Sequence, residues 1–274
     1  MTTMSVNRQI PILMYHSIAN EASAPFRSFA VAPKRFSEQM AHLHDQGYTP
    51  LTVSQMVSLR TEGLDALPAR PVVITFDDGF SDFATEALPV LNRYQFAATL
   101  YITTGFVNST SRWLHPEGEG QRPLLTWQQV REVNASGIEC GAHTHTHPQL
   151  DMVSLNQVCQ EIVHSKDLLE QQLGVAVTSF AYPYGYYTPQ VRALVSETGY
   201  SSACAVKFSM STMTTDPFAL ARIKVSASTE IGEFAALLQG RDLSPLSTLY
   251  TRLRTPAWRV VRKCSTVLNH YFSA

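Results

Sequence analysis

Between residues 10 and 238, apolar runs of strand length alternate with segments of helical spacing, and this alternation confines the chain to βαβ units on a parallel sheet. Residues 10–15, 71–76, 96–103, 137–140, 175–181, 201–206 and 221–225 read as strands, and 51–53 start a further unit. Between them Pro33 opens a helix through Phe36, Met40 and Leu43 that Gly47 stops, and Ser54 caps one carrying Met56 and Leu59. Residues 81–94 are helical with Pro89 as a kink or a break, Thr126 caps the next helix, 155–173 end at Gly174, 189–198 end at Gly199, and 230–238 form the last. About seven such units without a linker or repeat favour a barrel-like α/β fold, whose active sites collect at the C-terminal ends of the strands.

With 45% hydrophobic and 16% charged residues the chain can bury a sizeable core. A formal net charge of -1 and the lack of a basic stripe interleaved with aromatics in the body of the chain give no reason to expect a nucleic-acid partner. The four cysteines, Cys140, Cys159, Cys204 and Cys264, have no framework spacing and suit a reducing compartment. Residues 1–10 are polar, unlike a signal peptide, and no apolar run reaches the ~18 residues of a membrane span. The expectation is a soluble, cytoplasmic protein.

Chemistry gathers at predicted strand ends. Thr75-Phe76-Asp77-Asp78-Gly79 closes an apolar strand with two carboxylates, and the glycine turn lets both approach one site. His143, His145 and His147 follow the 137–140 strand at alternate positions. Imidazole is a common transition-metal ligand, and one carboxylate with two histidines is a zinc set that keeps a fourth position open. Spacing leaves the pair undecided: an extended chain turns all three histidines one way, and a helical turn still aligns His143 with His147. Cys140, three residues before His143, lies inside the apolar strand and reads as a buried thiol.

On these residues the chain resembles the NodB-homology polysaccharide deacetylases, carbohydrate esterase family 4, over about residues 8–238. Residues 75–79 look like the first motif of that family, and His143-Thr144-His145-Thr146-His147-Pro148 like its second. The resemblance implies a distorted (β/α) barrel of seven rather than eight full units. It also implies that Asp78, His143 and His147 bind zinc or another divalent transition metal, that Asp77 is the general base, and that the backbone N–H of Tyr184 receives the developing oxyanion.

Two departures matter. Ala181 stands where the third motif commonly has an arginine that orients the base, and Arg222, on a later strand, is the candidate substitute. The late histidine that serves as general acid is also missing, since no histidine lies between Tyr184 and His270. His16, ending Ile12-Leu13-Met14-Tyr15, resembles the opening of a circularly permuted branch, the poly-N-acetylglucosamine deacetylases, and is the candidate acid.

The implied activity is hydrolysis of an N-acetylated amino sugar, in a polysaccharide or lipid-linked, to acetate and a free amine. The alternatives are an O-acetyl esterase, a deformylase, or a catalytically weak carbohydrate-binding relative, which the alanine at 181 favours. Phe80, Trp113, Tyr182, Tyr184 and Tyr186 are candidate sugar-stacking rings, Trp113 first because it sits in the polar loop 108–123. Residues 1–240 are expected to form the deacetylase domain and 241–274 a basic amphipathic tail. Arg252, Arg254, Arg259, Arg262 and Lys263 occur there among apolar residues and without an acid from 249 on, which suits peripheral contact with an anionic membrane.

Overall fold

The computed structural model describes residues 8–62 and 66–241. Its main sheet comprises β1 (Ile12–Tyr15), β2 (Thr49–Leu51), β3 (Pro71–Phe76), β4 (Thr99–Ile102), β5 (Glu139–Ala142), β6 (Ser179–Ala181), β7 (Ser202–Cys204) and β8 (Ile223–Lys224). Every pairing is parallel, in the order β7-β6-β5-β4-β3-β1-β8, with β2 on the N-terminal half of β3. The ends of this row meet ahead of β8: Leu220 N–H donates to Ala203 O at 3.0 Å, and Ala205 N–H donates to Leu220 O at 2.8 Å. The result is a distorted (β/α) barrel of seven strands with β2 wedged at its base.

Seven α-helices cover the outside: α1 (Pro33–Asp45), α2 (Val53–Glu62), α3 (Leu88–Tyr94), α4 (Trp127–Ala135), α5 (Leu155–Leu173), α6 (Pro189–Glu197) and α7 (Ile231–Leu238). The apolar stripe of α1, Phe36, Met40 and Leu43, is fully buried, and each such side chain contributes roughly 1.5–3 kcal/mol on leaving water. Thr126 and Ser154 close reciprocal caps with Gln129 and Gln157, so α4 and α5 start where polar side chains satisfy their free amides.

Alternation along the strands divides core from site. Val72, Ile74 and Phe76 of β3 face the helices, whereas Val73 packs with Ile12, Tyr101, Ala181 and Leu220 in the second core cluster. One step of two residues further along that inward face are Thr75 and then Asp77, and on β1 the same face runs from Ile12 through Met14 to His16. Barrel-filling residues therefore give way to functional ones at the C-terminal mouth.

Some boundaries differ from the sequence expectation. Ser54 lies inside α2, whose first turn is closed by Thr52 and Gln55 through reciprocal side-chain to backbone bonds of 3.1 and 2.9 Å. The 81–94 helix divides into a wide turn at Phe83–Ala87 and α3, with Pro89 in the first turn of the new helix, where its missing N–H does no harm. Residues 175–178 stay outside β6 because Glu170 takes the Val177 N–H at 2.9 Å and Lys166 takes its carbonyl. The proposed tail, 241–274, lies outside the described residues apart from Arg241.

Candidate active site

The end of β3 presents two carboxylates in different ways. Asp77 continues the inward face, while Asp78 adopts φ +78° and Gly79 φ +79°, a left-handed pair that swings the second carboxylate back over the barrel mouth. A non-glycine residue in that conformation costs about 1–3 kcal/mol, and such strain collects at functional sites. Thr144 (φ +65°), His147 (φ +60°) and Tyr184 (φ +59°) are left-handed in the same region.

Arg222, fully buried, grips Asp77 with both arms of its guanidinium, Nη1 to Oδ1 at 2.6 Å and Nη2 to Oδ2 at 2.7 Å. Its remaining donors go to Thr75 Oγ1 and Ala205 O, both at 3.2 Å. Burial by itself would raise the Asp77 pKa, but the charge and hydrogen bonds of Arg222, with His143 nearby, hold it well below the usual carboxylate range. The pair thus forms although Ala181 has no side chain to supply it.

The histidine segment is neither extended nor simply helical. His143 N–H ties to Ile102 O, Thr144 turns left-handed, and its Oγ1 accepts the His147 N–H at 3.0 Å, so His143 and His147 enter the site. His145 is turned out of it, stacked on His164 at 4.5 Å and bonded to Thr104 Oγ1 through Nδ1. Cys140 stays in β5, buried, and burial pushes its thiol up to about 12.

Asp78 Oδ1 lies 3.3 Å from His147 Nε2 and 3.6 Å from His143 Nε2, and the two Nε2 atoms are 3.2 Å apart. His143 donates Nδ1–H to Ala181 O at 2.8 Å, which leaves its Nε2 lone pair aimed at the carboxylate. Burial lowers both imidazoles, His143 to about 4 and His147 to about 3, and so keeps them neutral near pH 7. Burial likewise raises Asp78. With the proton of His147 on its buried, unpartnered Nδ1, its Nε2 is an acceptor too, and three acceptors this close call for a cation among them. Tetrahedral coordination with bonds of about 2.0–2.2 Å places ligand atoms about 3.3–3.6 Å apart, so the three donors fit a divalent transition metal. They form the one possible metal-holding group of this kind among the described residues.

A pocket of about 500 Å³ opens over these groups. Trp113 stacks on His147 with centroids 4.9 Å apart, and Tyr184 meets the same ring edge-on at 4.8 Å. The Tyr184 turn is closed by the N–H groups of Gly185 and Tyr186, which bond to Tyr182 O and Pro183 O and leave the Tyr184 amide outside those bonds. Gly185 is required there, because a Cβ would come within 2.7 Å of the Val206 backbone. His16 lines the pocket and packs on Phe29, and burial lowers its pKa to about 4 against the pull of Asp78 and Asp77. Phe80 and Tyr182 are core residues, so they leave the set of candidate sugar-stacking rings. Phe26, Phe29 and Lys224 also line the pocket. Sequence reading passed them over, and only the inward alternation of Arg222 and Lys224 could have flagged the last.

The pattern of the polysaccharide deacetylase family matches residues 65–203. YxkH of Bacillus subtilis, which bears a provisional polysaccharide deacetylase name, is 30% identical over 84% of this chain and 76% of its own length. The chain belongs to the polysaccharide deacetylase family. Among solved deacetylases, PplD of Streptococcus pyogenes, determined in complex with acetate, superposes with a TM-score of 0.73 at 28% identity over 86% of this chain and 99% of that one. The poly-β-1,6-N-acetyl-D-glucosamine N-deacetylase of Escherichia coli K12 is 32% identical over 48% of this chain, which spans only 20% of that larger protein.

Proposed function

We propose that this deacetylase is a metal-dependent hydrolase that removes N-acetyl groups from an amino sugar in a polysaccharide or a lipid-linked saccharide, in glycan or exopolysaccharide metabolism. The observation that carries the reading is the Asp77–Arg222 ion pair set beside the Asp78–His143–His147 donor triangle. A binding module needs neither a buried, oriented carboxylate nor a metal set next to it. The weak-binding alternative drew on Ala181, and the fork from Arg222 supports catalysis instead.

Asp78, His143 and His147 would hold zinc or another divalent transition metal. Bound there, the metal supplies Lewis acidity toward the acetyl carbonyl and activates the attacking water. Asp77, fixed by Arg222 and ionised, accepts the proton of that water as it attacks the amide carbon. The Tyr184 N–H receives the developing oxyanion, and one such donor is typically worth ~3–4 kcal/mol. His16 protonates the departing nitrogen, a step an amide requires because an amine anion leaves poorly. Burial holds His16 neutral at rest, so the proton it delivers is the one Asp77 took from the water, passed to His16 and on to the nitrogen, which leaves Asp77 ionised again. Trp113 and Tyr184 keep water from one side of His147 and offer faces to a sugar ring.

We propose a cytoplasmic location, in keeping with the free thiols of Cys140, Cys159 and Cys204 among the described residues, with the basic residues of 249–274 resting on an anionic membrane that presents a lipid-linked substrate. The deciding experiment is acetate release by zinc-loaded protein from a panel of N-acetylated, O-acetylated and N-formylated saccharides, with Asp77→Asn as the blank. Release confined to N-acetylated members and lost in the variant is expected. Release from O-acetyl esters alone, or from formamides alone, would replace the reading with one of those activities.

A further inference from the structure

Arg222 and Lys224 stand two residues apart at β8 and share its inward face. Arg222 is committed to Asp77, whereas Lys224 pairs in register with Met14 of β1, and Met14, His16 and Lys224 line the pocket together. The Lys224 ammonium sits 3.5 Å above the centre of the Phe29 ring and donates to Ser28 Oγ at 2.8 Å. An ammonium has three protons. With one on Ser28 and one directed at the ring face, a third remains for the pocket.

Lys224 is partly buried and has no carboxylate partner among the described residues, and burial lowers its pKa to about 8. Keeping a half-buried cation without an anion is costly, and a bound ligand that accepts its proton offsets that cost. The titratable and charged groups that line the same pocket are His16 from the end of β1, Asp77 and Asp78 from the end of β3, His143 and His147 from the turn after β5, and Glu117, Tyr184 and Tyr186 from the loops. Its register beside Met14, two residues before His16 on β1, places it on the His16 side of the pocket.

We propose that Lys224 is a substrate-contacting residue of this site, an ammonium donor that binds an oxygen of the amino sugar on the same side of the scissile amide as His16. The inference rests on the deacetylase reading and adds to it a polar anchor for the leaving sugar in a pocket otherwise walled there by Met14, Phe26 and Phe29. Lys224 makes its contact as a cation, so contact and turnover both weaken when it loses its proton.

The test compares zinc-loaded wild type, Lys224→Met and Lys224→Arg on an N-acetylglucosamine oligosaccharide. It records kcat/KM for acetate release against pH, and Kd by calorimetry in the Asp77→Asn background, where no turnover intrudes. Lys224→Met is expected to lower kcat/KM and weaken binding roughly 10- to 100-fold at unchanged zinc content, the range for a hydrogen bond from a charged donor. The alkaline limb of the wild-type profile, near pH 8, is expected to move upward in Lys224→Arg, whose guanidinium stays charged. A purely structural lysine would leave that limb in place. Wild-type kcat/KM or Kd in the methionine variant, or an unmoved limb in the arginine variant, would overturn the proposal. A wild type that releases no acetate would defeat the deacetylase reading instead, and the Kd comparison would then decide Lys224 by itself.

Discussion

The two ends of the barrel treat a carboxylate in opposite ways. At the N-terminal end Glu139 is saturated by neutral donors: Ser54 N–H and O–H, and Thr99 O–H at 2.6 Å, with Thr178 bonded to the same serine at 2.9 Å. That network pins α2 to β4 and β5 and keeps both carboxylate oxygens occupied. At the C-terminal end Asp78 faces two imidazole nitrogens at 3.3 and 3.6 Å, with lone pairs directed inward and a left-handed backbone beneath it. Asp77, beside it, is held by a buried arginine. Glu139 has its polar bonds completed within the fold, whereas Asp78 is left open for a ligand to complete.

Each end can be probed separately. Asp77→Asn, at the mouth, should cut kcat/KM for acetate release by about 10²- to 10⁴-fold, the range for loss of a general base, with zinc content unchanged. Retained activity would remove the distinction between the two ends. Arg222→Met leaves Asp77 buried without a partner, so urea denaturation should show a loss of about 3–5 kcal/mol together with loss of turnover. Glu139→Gln, at the base, should cost about 1–3 kcal/mol in the same denaturation experiment and leave kcat/KM at the wild-type value, because it disturbs donors far from the mouth. A fall in kcat/KM matching the loss in stability would show that the two ends are coupled.

The smallest effect belongs to the surface. Arg192 holds Asp216 through two bonds of 2.7 Å, but both side chains are 38% exposed, so screening limits the pair to about 1 kcal/mol or less. The hydrogen bonds from Arg192 lower the Asp216 pKa below 3.8. Its contribution is therefore present above the unfolded value and disappears as pH falls through the lower folded one. Asp216→Asn should remove that small acid-limb dependence and lower stability at neutral pH by about 1 kcal/mol or less.

Much of this was legible beforehand because it rests on local rules. Period-2 alternation places Val73, Thr75 and Asp77 on one face, and the cap at Thr126 and the stop at Gly174 follow from unsatisfied helix ends. The resemblance supplied Asp78, His143 and His147, and the geometry brings those three together. Less legible was what depends on dihedrals and on distant strands. The left-handed Thr144 that ejects His145 leaves no residue-type signal, because threonine rarely adopts that conformation. The pairing of Arg222 with Asp77 depends on barrel closure across 145 positions of sequence, and only the missing arginine at 181 hinted at it. The Phe26–Phe29 wall was invisible because a loop folded across the mouth is positioned by tertiary contacts, whereas Lys224, on β8, could be flagged only by its alternation with Arg222.

Anomalous diffraction at the zinc edge, from crystals soaked in zinc, tests the central claim most directly. The account predicts one strong peak per chain, about 2.0–2.2 Å from Asp78 Oδ1, His143 Nε2 and His147 Nε2, with His145 remote from it. A vacant triangle under saturating zinc, or a peak bound instead by His145 and His164, would contradict it.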